Sequence, residues 1–138
     1  LYKNTLNANI EYPGNSKNKI KIDFIKYPYP LINKVSVIDG IKMLSIEDII
    51  PMKLSAIAGR GSKKDFYDIF FLLDTFTLSQ MFDLFKLKFP QNNHFHLLKS
   101  LTYFEDAENE PNPILLSKIS WKKVKSRIIK ETNLYIEK

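Results

Sequence analysis

The stretch Ser45-Ile-Glu-Asp-Ile-Ile-Pro-Met-Lys-Leu-Ser-Ala-Ile-Ala-Gly-Arg-Gly-Ser-Lys-Lys-Asp-Phe-Tyr-Asp-Ile-Phe-Phe-Leu-Leu73 decides how this chain is read. Before it, apolar residues alternate as in strands; from Ser45 onward they recur at helical spacing. Ser45 is a good N-cap, and Glu47 and Asp48 fall in the first turn, where acids suit the helix dipole. Pro51 is awkward in this helix because its ring clashes with the preceding turn. The spacing therefore predicts an irregular start, regular helix from about Ile50, and an end at Ala58 before Gly59-Arg60-Gly61. Ser62 then caps a second helix over 63–76, with Phe66, Ile69, Phe70 and Leu73 on its apolar stripe.

Towards the N-terminus, Thr5–Tyr12 alternates loosely and Asn18–Tyr27 cleanly, with Ile20, Ile22 and Phe24 on one face and Lys21, Asp23 and Ile25 on the other. The turn cluster Pro13-Gly14-Asn15-Ser16 joins them as a hairpin, and Tyr27-Pro28-Tyr29-Pro30 ends the second strand. A shorter hairpin, 35–38 with 41–44, surrounds Asp39-Gly40. Towards the C-terminus, a helix starts at Thr77 or Ser79 and stops at Phe89 before Pro90, and another covers 93–104 with Phe95, Leu98 and Leu101 inward. The segment 105–113 reads as a loop rich in Pro and acids. The last helix, 120–137, turns Trp121, Val124, Ile128 and Tyr135 to the core. The fold class is α+β: a small antiparallel or mixed sheet over 1–45, then a helical region of four to five helices over 46–138.

Composition fits one packed domain. The chain has 138 residues, 44% of them hydrophobic and 13% aromatic, which excludes a disordered tail. It has no Cys, so a disulfide scaffold, a thiolate zinc site and a Cys nucleophile are excluded. Apolar runs such as Ile69–Leu73 are far shorter than the ~20 residues that span a bilayer, so no membrane partner is expected. The net charge of +6 is uneven. Residues 104–113 carry four acids and no base, whereas 120–138 hold six bases, Lys122, Lys123, Lys125, Arg127, Lys130 and Lys138, against Glu131 and Glu137. Such a basic helix permits binding to RNA, nucleotide or another polyanion without demanding it, because a Lys-rich outer helix face is usually just solvated.

Candidate chemistry concentrates between residues 53 and 68. Lys53, Ile57 and Arg60 lie along one side of the first helix, Asp65 and Asp68 share a face of the next, and Lys63 and Lys64 stand between. Triphosphate oxygens need cations and backbone N–H donors, and Mg²⁺ needs carboxylates, so this pattern suits a nucleotide site. It suits as well, and on spacing alone better, an ion-paired helical hairpin with its cations in water. Asp23 is a second candidate, since a carboxylate held on a strand can present a rigid metal ligand, or can simply sit on the wet face of an antiparallel sheet. His94 and His96, two apart, point about 200° apart on a helix and cannot share a metal. No P-loop, dinucleotide fingerprint or nucleophile elbow occurs.

Three segments together, Ile20-Lys-Ile-Asp-Phe-Ile25, Leu44–Arg60 and Lys63-Lys-Asp-Phe-Tyr-Asp-Ile69, resemble the AbiEii/AbiGii toxin family of nucleotidyltransferases. Leu101-Thr-Tyr-Phe-Glu-Asp-Ala-Glu108 and Trp121 add to the likeness, which runs from about Lys19 to Ile129. The resemblance implies a DNA polymerase β-like fold and a toxin of an abortive-infection, type IV toxin–antitoxin system. Such a protein transfers a nucleotide from NTP to an RNA (tRNA) or protein acceptor in the cytoplasm, with Mg²⁺ as cofactor and an antitoxin as partner. It also implies roles: Asp23, Lys53 and Asp65 catalytic, with Asp23 on the metal; Lys53 on phosphate; and Arg60, Lys64 and Asp68 binding nucleotide. The family's early Gly-Gly or Gly-Ser turn and Asp-x-Asp pair have no match: no Asp-x-Asp occurs, and the one glycine ahead of Asp23 is Gly14. With Leu1 in place of Met, the expectation is a family member lacking its N-terminal part and inactive alone. Unpaired sheet edges would then favour a homodimer. The alternative is a non-catalytic RNA- or antitoxin-binding helical module.

Overall fold

A computed structural model describes residues 5–12 and 15–137. The architecture is α+β, two small antiparallel hairpins followed by a helical bundle. The chain divides into two units, Leu1–Pro30 and Leu31–Lys138.

In the first unit, alternation produces one long hairpin. Strand β1 (Thr5–Tyr12) pairs antiparallel with β2 (Asn15–Ile25), and the register shifts between Glu11 and Tyr12. The expected turn residues Pro13 and Gly14 lie outside the described residues. Leu6 faces Phe24, Ala8 faces Ile22 and Ile10 faces Ile20, so the period of two gathers one apolar face. That face remains open to solvent at Leu6, Ile10, Ile20 and Phe24.

The second unit opens with β3 (Ser36–Ile38) and β4 (Ile41–Met43), joined through Asp39 and Gly40 at φ 51° and 79°. Two successive left-handed residues are what a type I′ hairpin turn requires, and Asp-Gly tolerates them. Helix α1 (Ile46–Gly59) follows, capped by Ser45, whose Oγ accepts from Asp48 N–H at 3.1 Å. The irregular start expected at Pro51 does not occur. The helix is continuous from Ile46, and Pro51 is buried together with Ile50, Leu54 and Ile57. Proline forgoes one backbone bond, but burial of each large apolar side chain contributes roughly 1.5–3 kcal/mol, so packing outweighs it. Gly61, at φ +58°, turns the chain out of α1 while its N–H donates to Ala56 O.

Helix α2 (Lys63–Leu72) is shorter than the pattern suggests. After Leu72 the chain tightens into turns, with Asp74 N–H on Phe71 O and Thr75 N–H on Leu72 O. Helix α3 (Leu78–Lys88) starts on a capping box made by Thr77 and Gln80. Helix α4 (His94–Leu101) is capped by the Asn93 side chain and buries Leu97 and Leu101. Phe95, expected inward, is 64% exposed, because the i, i+4 edge of Leu97 and Leu101 rather than the Phe95 edge packs inward. The acidic segment expected to be all loop contains one helical turn, α5 (Glu105–Glu108), and buries Ala107. Helix α6 (Trp121–Ile136) completes the bundle with Val124, Ile128 and Thr132 buried. Helices α1 and α6 each pack against α2, α3 and α4. The core between them is aromatic: Phe66, Phe82 and Phe85 are almost fully buried, and Tyr135 stacks on Phe82 at 4.7 Å. His94 is half-buried against the Phe82 and Phe85 rings, and His96 is exposed.

Candidate functional site

Because α1 and α2 are joined by a three-residue turn, residues late in α1 meet residues early in α2. Asp65 lies at the centre of this meeting and its side chain is fully buried. Arg60 grips it with two bonds, Nε to Oδ2 at 2.8 Å and Nη2 to Oδ1 at 2.9 Å, the fork geometry that guanidinium offers a carboxylate. Lys53 approaches Asp65 Oδ1 at 3.5 Å and pairs with Asp68 Oδ2 at 2.6 Å. The fold thus brings together Lys53, Arg60, Asp65 and Asp68. The hydrogen bond from Arg60 to Asp65 raises the Arg60 pKa further. Arg60 is 57% exposed and Lys53 31% exposed, so a buried carboxylate holds two cations at the surface. Lys64 is exposed beside them and has no ion-pair partner among the described residues.

The start of α2 holds a feature that sequence reasoning missed. Ser62 occupies the N-cap position but its hydroxyl does not cap; it donates to Glu110 at 2.9 Å. Glu110 itself accepts the Lys63 N–H at 2.7 Å, so a carboxylate from the acidic segment serves as the cap. Lys63 is buried, its ammonium donating to the carbonyls of Glu108 and Glu110 and lying 5.3 Å from the centre of the Trp121 ring. The Lys63 N–H at the start of α2 is therefore already bonded inside the protein. The concentration of acids in 104–113 opposite Ser62-Lys63-Lys64 was the available signal.

Asp23 lies in the other unit, on β2, directly opposite Asn7. Its carboxylate accepts a hydrogen bond from Asn7 Nδ2 and pairs with Lys21 at 3.2 Å.

Of the bases in the last helix, two are used internally. Lys125 pairs with Glu108 at 2.9 Å, and that pairing holds the Glu108 carboxyl below its usual pKa. Arg127 donates to Phe70 O at 3.1 Å and Leu73 O at 2.8 Å and binds Asp74 at 2.6 Å, closing the C-terminal end of α2. Lys122, Lys123 and Lys130 are exposed.

The family described as Nucleotidyl transferase AbiEii toxin, Type IV TA system, matches residues 2–137. The chain belongs to the AbiEii family. An uncharacterized protein of Aquifex aeolicus (strain VF5) is 42% identical over 95 residues, a span that takes in 66% of this chain and 46% of that protein. No solved structure matches the chain.

AbiEii membership implies a divalent metal, and the side chains of the Lys53–Asp68 cluster do not fit one. Both oxygens of Asp65 are held by Arg60, Asp68 is taken by Lys53, and among the described residues no three His, Asp or Glu side chains converge. What the cluster leaves at the surface is the Arg60 guanidinium and the Lys53 ammonium beside the Asp68 carboxylate. No helix among the described residues is long and apolar enough to cross a membrane.

Proposed function

We propose that this chain supplies the phosphate-holding part of an AbiEii-type nucleotidyltransferase, which transfers a nucleotide from NTP to a tRNA or protein acceptor in the cytoplasm under the control of an antitoxin. The observation that carries the reading is Asp65 bonding Arg60 and Lys53 from beneath while both cations reach solvent. In this reading Lys53 is the catalytic cation that neutralises developing phosphate charge, and Arg60 and Lys64 widen its field. Asp65 is a positioning acid, and Asp68 holds Lys53 in place. Asp23 would be the strand carboxylate nearest in kind to a metal ligand. Mg²⁺ would still need further carboxylates, because two-metal phosphoryl transfer requires several around the ions. On that account the 138-residue chain transfers no nucleotide alone. The test is incorporation of labelled nucleotide by the full translated product of the gene that encodes these residues. Lys53→Ala and Asp65→Ala each abolish transfer, and full incorporation by either variant sinks the assignment.

A second reading, a non-catalytic module that binds RNA or an antitoxin through α6, is favoured by the exposed Lys122, Lys123 and Lys130. Its binding to tRNA would weaken steeply with salt. No affinity for tRNA at low salt disposes of the RNA form of this reading. The open apolar hairpin face supports pairing with a second copy, which light scattering would register as a dimer.

A further inference from the structure

The segment Pro111-Asn-Pro-Ile-Leu-Leu-Ser-Lys118 crosses from α5 to α6 as neither helix nor strand. Among the described residues, no backbone N–H from Asn112 to Lys118 donates a hydrogen bond, and Pro111 and Pro113 have none to give. Ser117 O accepts from Ile119 N–H, and the carbonyls of 111–116 accept nothing from the described residues. The side chains of Ile114 and Leu116 are 103% and 110% exposed, as open as in a free extended peptide, while the alternate residues Pro113 and Leu115 are half-buried. Such alternation is that of an extended strand without a neighbour. The two ends of this strap are fixed to α2. Glu110 accepts from Ser62 and Lys63, and Ile119 O accepts from the Tyr67 hydroxyl at 3.1 Å. The connections after α1, α2, α3 and α4 differ, since each carries backbone hydrogen bonds, such as Gly61 N–H on Ala56 O and Asn92 N–H on Phe89 O.

We propose that the strap 111–118 is a site of endoproteolysis, cut by a peptidase that takes an extended chain with a bulky aliphatic residue at the scissile bond. An extended peptide is bound as an added strand, through main-chain hydrogen bonds, with alternate side chains in pockets. In a folded protein that geometry usually requires local opening, and the population of the open form limits the cut. Here it requires none, because the backbone groups are free and Ile114 and Leu116 already face solvent. The bonds concerned are Ile114–Leu115 and Leu115–Leu116. Water is the second reactant: the amide C–N bond breaks, the acyl carbon takes OH and the nitrogen takes H, giving a new carboxyl and a new amino terminus. The cut leaves α6 in place at first. Val124 and Ile128 stay buried, Arg127 still closes α2, and Trp121 and Lys125 still donate to Glu108. Without the covalent link, however, retention of α6 depends on concentration. Cleavage is thus a one-way switch from a permanent to a dissociable last helix, and it stands apart from the nucleotidyltransferase reading.

The probe is thermolysin, which cleaves before bulky aliphatic residues, added to the full gene product under native conditions. Mass spectrometry finds the first cut between Ile114 and Leu116. The two fragments co-elute in size exclusion and separate only in denaturant. The rate of this cut stays flat as urea rises towards the unfolding midpoint, because no opening precedes it. Leu115→Pro and Leu116→Pro combined remove the susceptible bonds and no native hydrogen bond, so that variant keeps the wild-type melting temperature and loses the cut. If the double variant melts lower, the mapped site and its urea dependence in the wild type decide alone. A first cut elsewhere overturns the proposal, as does a rate that climbs with urea in step with unfolding. A strap covered by a second copy, or by another part of the gene product, resists thermolysin, and that overturns it too. Fragments that part at once under native conditions overturn the retention of α6.

Discussion

Lys88 at the end of α3 and Asp48 in the first turn of α1 form an ion pair, Nζ to Oδ1 2.6 Å, with side chains 1% and 0% exposed. Asp48 also accepts the backbone N–H groups of Ile32 and Asn33 at 2.9 and 3.0 Å and the Ser45 hydroxyl at 2.7 Å. One carboxylate thus fastens the segment before β3 to the start of α1 and to α3. Burial alone would raise its pKa, but Lys88 and these donors outweigh burial and hold it well below the usual carboxylate range.

Removing Lys88 should therefore be severe. Lys88→Met leaves Asp48 buried without its counter-charge, which costs about 3–5 kcal/mol. Urea unfolding at neutral pH measures it, and a loss below about 1 kcal/mol would contradict the buried pairing.

The same pair sets an acid limit. A carboxyl whose folded pKa is depressed contributes stability above its unfolded pKa, about 3.9, and loses it as pH falls through that value towards the folded one. The urea midpoint of the wild type should fall as pH drops below about 4. In Lys88→Met the Asp48 pKa lies closer to its unfolded value, so the midpoint should fall less steeply.

Glu110 should act on α2 from a distance of 47 residues in sequence. Glu110→Gln removes the negative charge that faces the helix N-terminus, and Glu110→Ala removes the acceptor as well. Expected losses are about 0.5 and 1–2 kcal/mol respectively. Hydrogen exchange should quicken first at the amides of Lys63 to Tyr67.

Arg127 should not be replaceable by Lys. Its fork reaches the Phe70 carbonyl in α2, the Leu73 carbonyl just after it and Asp74 at once, and lies 5.0 Å from the Phe70 ring centre. A single ammonium cannot reproduce that planar geometry. Arg127→Lys and Arg127→Ala should both lower thermal stability, each by about 1–2 kcal/mol. Full stability in Arg127→Lys would show that charge alone suffices.

Asp65→Ala should separate charge from structure. It releases Arg60 and Lys53, both partly in water, so the stability cost is held to about 1–3 kcal/mol. Nucleotide transfer by the complete gene product should nonetheless be lost, because the released cations no longer share one position. Transfer that falls only in proportion to the folded fraction would make Asp65 structural.

Much of this architecture was legible locally. Alternation placed both hairpins, Asp39-Gly40 placed a turn that needs left-handed residues, and Ser45, Thr77 and Asn93 start helices through bonds made within a few residues. The grouping of Lys53, Arg60, Asp65 and Asp68 was legible too, since a short turn between two helices leaves such residues little choice of partner. The family likeness was legible in the segments that hold these residues, and the family match spans residues 2–137.

Only the tertiary structure decided the long-range contacts. Pro51 reads as a helix breaker until the burial of its neighbours is known. Ser62 reads as a cap until Glu110 arrives from the acidic segment. Arg127 reads as one more base of the last helix, yet it closes α2, and Lys88 neutralises a buried acid. The reason is physical: caps and turns are settled by hydrogen bonds between near neighbours in the chain. The fate of a charge depends on which distant groups share its burial, and sequence spacing carries no record of that.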